Sequence, residues 1–226
     1  LKQMQERILH ATEEEINRSK IEILSGLMRL RQICDTPKLF MDDYDGESGK
    51  LESLRELLEQ IQGGNHRVLI FSQFRGMLDI IEEELGRIGL ESFKITGSTP
   101  AKDRQEMTKA FNQGERSAFL ISLKAGGVGL NLTGADTVIL VDLWWNPAVE
   151  AQAIGRAHRI GQERNVEVYR MITRGTIEEK IQELQETKRN LVSTILDGAE
   201  SRSSLSLEEI REILGISSES LEKKFE

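Results

Sequence analysis

Gln152, Arg156 and Arg159 stand four and three residues apart, a spacing that brings three side chains onto one face of a helix. A carboxamide and two guanidiniums shown together form a planar, permanently charged donor array. Such an array suits phosphate oxygens better than proton transfer. The competing reading is a solvated basic helix face. Gly155 inside the expected helix weighs against it, because glycine there costs about 1 kcal/mol relative to alanine and fits where a ligand or another backbone approaches closely. A second candidate is Ser122–Leu132, where Gly126, Gly127 and Gly129 directly follow an apolar run. A glycine-rich backbone at the carboxyl end of a parallel strand is able to cradle a phosphate, at the place where open α/β sheets bind ligands. A tight turn explains the same glycines equally well, and the spacing is not that of the dinucleotide fingerprint.

The elements that must hold these residues alternate in kind. Val68–Phe71, Phe93–Thr96, Ala118–Ser122, Thr137–Asp142 and Val166–Ile172 are short apolar runs rich in β-branched and aromatic residues, which read as strands. Between them Gly76–Arg87, Pro100–Asn112 and Ala148–His158 carry apolar residues at helical spacing. Near-continuous apolar strands separated by helices predict an α/β fold, with a parallel sheet covered by helices on both faces. Residues 1–33 read as one or two charged helices, Leu51–Ile61 as another, and Ser206–Leu214 as a short terminal one. Ile177, Ile181, Leu184, Leu191 and Ile195 form an apolar stripe interrupted by Lys188, the pattern of a helix bracing the core. The expected organisation is a helical entry segment over 1–50, the sheet domain over 51–175, and a brace helix with a tail over 176–226.

What is missing narrows the chemistry further. The nearest approach to a phosphate-binding P-loop is Gly49-Lys50, but Tyr44 stands where the first glycine belongs and Leu51 replaces the magnesium-binding hydroxyl. No Asp-Glu dipeptide follows a strand to hold a metal or polarise water. One cysteine, Cys34, excludes an internal disulfide framework, and with His10, His66 and His158 far apart no zinc site is expected. The chain thus has an arginine-bearing face for a triphosphate and nothing to hold one, which is half of an active site. No apolar run reaches the roughly 18 residues of a membrane span, so a soluble intracellular chain with no membrane partner is expected. The formal net charge of −8 over 226 residues is uneven: residues 1–65 and 174–226 each carry an acidic excess of four, and the middle is balanced. Such a sum argues weakly against nucleic-acid binding, because a local basic stripe sets that affinity.

With these residues in view, a resemblance becomes specific. Gln152–Gln162, with its Arg-Ala-His-Arg-Ile-Gly-Gln heptapeptide, together with Ser122–Thr133 and Asp142–Pro147, resembles the second RecA-like lobe of the Swi/Snf family. These are DNA-dependent ATPase motors of helicase superfamily two. Val68–Phe74, Gly97–Thr99 with Arg104, and Leu30–Pro37 are similar to further family segments, with Asp35 and Thr36 off the commoner wording. The match runs from about residue 27 to 196. Compact spacing between its motifs resembles bacterial or archaeal members more than a remodeller with a long insertion.

The resemblance implies a RecA-like fold and roles for individual residues. Arg156 and Arg159 would be arginine fingers at the γ-phosphate of ATP, with Gln152 positioning the nucleotide. Gly127, Gly129 and Asn131 would form a loop that touches both nucleotide and DNA. Ser72, Gln73, Gly97, Ser98, Thr99 and Lys124 would contact the backbone of double-stranded DNA, and Trp145 would serve coupling near the lobe boundary, with a plain core role equally open. ATP and Mg2+ would be held mainly by an N-terminal RecA-like lobe of the same full-length protein, and a protein on DNA would be a further partner. Localisation would follow the DNA: nucleoid-associated in the cytoplasm, or nuclear in a eukaryote. The alternative is a non-catalytic DNA- or protein-binding module.

Overall fold

The computed structural model describes Gln5 and residues 13–123, 129–158, 162, 164–194 and 206–214. Five strands, β1 (Val68–Ser72), β2 (Ser92–Ile95), β3 (Ala118–Ser122), β4 (Thr137–Leu140) and β5 (Glu167–Arg170), form one sheet in the order β2-β3-β1-β4-β5. Every neighbouring pair is parallel, with Val68 opposite both Ala118 and Thr137. The period of two divides each strand between two cores. Val68 and Ile70 pack under α2 (Gly49–Gly63) and α3 (Arg75–Arg87), whereas Leu69 and Phe71 pack under α4 (Ala101–Asn112) and α5 (Pro147–Ile154). The predicted parallel sheet with helices on both faces is therefore the observed one. β5 is shorter than the predicted Val166–Ile172, and all four of its residues are exposed, because it pairs only with β4 and lies at the sheet edge.

Local chemistry explains where the helices start. The Ser48 side chain accepts from the Leu51 amide at 3.4 Å and so begins α2 at Gly49. The helix then buries Leu51, Leu54, Leu58 and Ile61 at spacings of three or four. A domain boundary at residue 50, as expected from sequence, would cut this first turn. Asn146 caps α5 by accepting from the Ala148 amide at 2.9 Å, with Pro147 in the first turn where no amide is needed. Gly114, at φ 101, lets the chain leave α4 for β3.

Glu84 of α3 joins two neighbours, accepting from Arg55 Nε at 2.7 Å and from Arg87 Nη1 at 2.6 Å. The Arg55 hydrogen bonds outweigh the opposing effect of burial and hold its carboxyl below the ordinary 4.5. A lowered folded-state pKa stabilises the fold above the unfolded value, and that contribution is lost as pH falls through the folded one. Glu84→Gln is therefore expected to lower the denaturation midpoint at neutral pH, with the gap to the parent closing below pH 4.5. Urea titrations at a series of pH values check this, and a gap that stays constant into acid would contradict it.

The flanks form a third core. α1 (Glu13–Asp35), α6 (Ile177–Thr194) and α7 (Leu207–Ile213) bring Ile23, Leu27, Ile181, Leu184 and Ile210 against Leu143 and Trp145. Lys188, which interrupts the apolar stripe, pairs with Glu209 of α7 at 2.6 Å. Glu209 also completes a capping box with Ser206. Lys50 is buried at the junction, 2.8 Å from Asp35 Oδ1, 2.6 Å from Glu178 Oε1 and 3.0 Å from the Val141 carbonyl. The false P-loop lysine thus ties α1, α2, β4 and α6 together. Among the described residues no helix is long and apolar enough to cross a membrane.

Candidate functional site

The carboxyl end of β1 is a topological switch point, since β1 sends α3 to one face of the sheet while its neighbour β4 sends α5 to the other. Ligands in open α/β sheets sit in such a crevice. Here the chain's own side chains fill it. Asp142 accepts from the Ser72 hydroxyl, from Gln73 Nε2 at 2.6 Å and from the Gln73 amide at 3.2 Å. The Arg31 guanidinium lies 3.7 Å from Asp142, donates to Gln73 Oε1 at 2.7 Å and to the Leu143 carbonyl, and is 0% exposed. Trp145 closes the crevice, its ring centre 4.3 Å from Arg31 Cζ.

This bears on two expectations. Ser72 and Gln73 are 0% and 7% exposed, with their side chains turned inward to a carboxylate rather than outward to a nucleic-acid backbone. An isolated buried carboxylate must find donors, and these two residues are the nearest. Trp145 is buried in the third core, the packing role that the sequence left open beside coupling.

Beside this plug, the same carboxyl edge presents an open loop. Gly97 and Ser98 are exposed and Thr99 is half-buried. Arg104 organises the loop by donating from Nε to the Thr99 carbonyl at 2.7 Å and from Nη2 to the Thr96 and Gly97 carbonyls at 3.2 Å each. The Thr99 hydroxyl accepts from the Thr96 amide at 3.0 Å and Ser98 Oγ lies 3.0 Å from Thr96 Oγ1, so these side chains brace the loop while Gly97 and Ser98 stay exposed at its tip.

The connection from β3 to β4 links the two sheet edges. The Leu123 amide donates to the Ser72 carbonyl at 3.0 Å, at the carboxyl edge. Lys124 and Gly127 lie outside the described residues. Leu130 and Leu132 then pack on the sheet face, leaving Gly129 and Asn131 exposed. By Asn131 the chain has reached the amino edge, where Asn112 at the end of α4 donates to the Asn131 carbonyl at 2.8 Å and accepts from the Gly134 amide at 3.0 Å. A methyl on Gly134 would meet Arg67 Nη1 at 2.7 Å and Asn112 Cα at 3.1 Å, so a larger residue at this crossing would have to push the guanidinium aside.

The arginine segment stands beside this connection. α5 ends at Ile154, four residues short of the predicted His158, and turns follow from Gly155. Gln152 is exposed, whereas Arg156 is 5% exposed and its carbonyl accepts from the Leu132 amide at 3.0 Å. The two side chains therefore do not share one solvent-facing helix surface. The Arg156 carbonyl is tied to the connection from β3, while its amide closes a tighter turn on the Ala153 carbonyl at 3.2 Å. A methyl on Gly155 would meet the Ala151 carbonyl at 3.2 Å and the Gln152 carbonyl at 3.6 Å. Arg159 lies outside the described residues. Beyond it, Gln162 Nε2 donates to the Ala135 carbonyl at 2.6 Å, the Ala157 carbonyl at 3.1 Å and the Thr133 carbonyl at 3.2 Å. The last glutamine of the heptapeptide is thus a clamp on the loop before β4.

Arg31, Lys50 and Gln162 were not assigned these duties from sequence. Arg31 did leave a signal, since Ile23, Leu27 and Arg31 recur every four residues and a charge in a buried stripe needs a partner. Among the described residues no group of three or more His, Cys, Asp or Glu side chains is placed to hold a metal ion.

Residues 49–161 match the model of the helicase conserved C-terminal domain. YwqA of Bacillus subtilis is 43% identical over 204 residues, covering 88% of this chain and 22% of that protein. The mouse SWI/SNF-related matrix-associated actin-dependent regulator of chromatin subfamily A member 1 is 43% identical over 190 residues, covering 78% of this chain and 18% of that protein. The chain thus spans about a fifth of the length of these two relatives. The SWI2/SNF2 ATPase core of Sulfolobus solfataricus, solved in complex with dsDNA, superposes with a TM-score of 0.72 at 34% identity, over 94% of this chain and 45% of that one. With its RecA-like parallel sheet and these likenesses in sequence and fold, this chain belongs to the Swi/Snf family of helicases as its conserved C-terminal domain.

Proposed function

We propose that the chain is the C-terminal motor lobe of an ATP-driven double-stranded DNA translocase or remodeller, which acts on DNA and on proteins bound to it. It supplies arginine fingers and DNA-backbone contacts, and is inactive without an N-terminal RecA-like lobe. The observation that carries this reading is the connection from β3 to β4. One segment is hydrogen-bonded at Leu123 to the carboxyl edge, beside the open Gly97–Thr99 loop, and at Leu132 to the backbone of Arg156. A shift at the DNA-facing edge therefore has a path to Arg156, along the chain from Leu123 to Leu132 and then through one hydrogen bond.

ATP would be held mainly by the other lobe, and Mg2+ bound there would supply charge neutralisation on the phosphates. Closing the cleft brings Arg156 and Arg159 to the γ-phosphate, with Gln152 at the nucleotide. Their guanidiniums stabilise the negative charge that spreads over the phosphoryl oxygens in the transition state. Gly97, Ser98, Thr99 and Lys124 grip the DNA backbone, which positions the duplex without reading its sequence. Hydrolysis and release reopen the cleft, and each cycle moves one lobe past the other.

Phosphate release by this chain, by a separately made first lobe and by their mixture tests the proposal. The chain alone is expected to match buffer, and the mixture to hydrolyse ATP with stimulation by duplex DNA. Turnover by the chain alone would refute the half-site. DNA affinity that falls steeply with salt, with no turnover in the mixture, would favour a binding module instead.

A further inference from the structure

Arg31 takes no part in the cycle just described, yet it occupies the crevice where the fold would otherwise receive a ligand. Its guanidinium touches two segments that lie far from it and from each other in sequence. It donates to Gln73 after β1 and to the Leu143 carbonyl after β4, and it lies among aromatic rings, with Trp145, Phe74 and Trp144 centred 4.3, 5.7 and 5.9 Å from Cζ. Arginine suits this place because its plane stacks on rings while its edge donates, and lysine offers only a point charge.

The residues it grips lead directly to the arginine segment. Trp145 immediately precedes Asn146, the cap of α5, so a shift of its ring is passed along the chain to the start of that helix. α5 is eight residues, about 12 Å, long. Gln152 is on it, and Arg156 follows two residues past its end. A small tilt at the cap becomes a displacement at the far end.

The same helix start is gripped from a second side by α6. Gln185 Nε2 donates to the Trp144 carbonyl and to Glu150 of α5, and Glu150 accepts from the Trp144 amide at 3.1 Å. Entry helix and brace helix therefore meet on one tryptophan pair.

We propose that Arg31 is a positioning residue, a pin that passes the placement of α1 through Trp145 to the start of α5 and so to Arg156. The proposal rests on the motor reading above. It implies that contacts made by α1 or α6 tune ATP turnover without touching nucleotide.

The test uses the complete two-lobe enzyme carrying Arg31→Lys, which keeps the charge beside Asp142 but loses the plane. The double variant Arg31→Met with Asp142→Asn, which leaves no unpaired carboxylate, stands beside it. DNA-stimulated kcat and KM for ATP are measured per folded molecule, with folding followed by thermal melting. Arg31→Lys is expected to lower kcat by about tenfold or more with KM for ATP within about threefold, because an interaction that shapes only the transition state affects kcat alone. The double variant is expected to follow it. A purely structural residue would reduce the folded fraction and leave kcat per folded molecule unchanged. That outcome in Arg31→Lys, or a raised KM at unchanged kcat, overturns the proposal. A parent enzyme without DNA-stimulated turnover would instead overturn the motor reading, so the two failures are told apart by the parent alone.

Discussion

Arg159→Ala in the complete two-lobe enzyme is expected to lower DNA-stimulated ATP turnover by about 10³-fold or more, because an arginine placed on the transferring phosphoryl group supplies roughly 10³–10⁵ in rate. Binding of duplex DNA should stay within about twofold, since the residue is assigned to the γ-phosphate and not to the DNA backbone. The loss should appear in kcat, as for an interaction made only in the transition state. Arg159→Lys should recover only part of it, for the ammonium keeps the charge and loses the planar fork. Steady-state phosphate release and fluorescence-anisotropy titration with a short duplex give the two quantities. Turnover like the parent in the alanine variant would remove the assigned role.

Lys50→Met is expected to cost about 3–5 kcal/mol of unfolding free energy, the range for breaking a buried ion pair by removing one partner. Asp35 and Glu178 would be left buried with their shared cation gone. Burial alone would depress the lysine's pKa. The two carboxylates prevail and hold it above the ordinary 10.5, so it remains charged. The sign follows from linkage. A raised folded-state pKa stabilises fully below 10.5 and is lost as pH rises through the folded value, so the parent should weaken at the alkaline end and Lys50→Met should not share that loss. Urea denaturation of the chain at neutral and alkaline pH measures both effects. Combining Lys50→Met with Asp35→Asn and Glu178→Gln should restore part of the stability, because no charge is then left unpaired. A Lys50→Met chain as stable as the parent would show that the triad holds nothing together.

Both predictions concern lysine or arginine side chains that read alike in a sequence and differ entirely in place. Arg159 was legible because its heptapeptide is specific. Lys50 was legible only as a failed P-loop, which explained what it does not do. Its partners Asp35 and Glu178 come from α1 and α6, and nothing local marks them. Ser72 and Gln73 show the reverse case. Their resemblance to a DNA-contacting motif was clear, and the carboxylate that turns them inward, Asp142, lies about 70 residues along the chain.

The strands, helices and parallel sheet followed from the sequence alone, because apolar periodicity and caps act over a few residues, as at Ser48, Asn146 and Val68–Phe71. So did the family, through Gln152–Gln162. Only the tertiary structure decided that Arg31 plugs the switch-point crevice, that Arg156 is buried against the Leu132 connection, and that Gln162 clamps the loop before β4. Each depends on which strands become neighbours. A buried charge or amide must then pair with whatever donor or acceptor that packing brings within reach, however far away it lies in sequence.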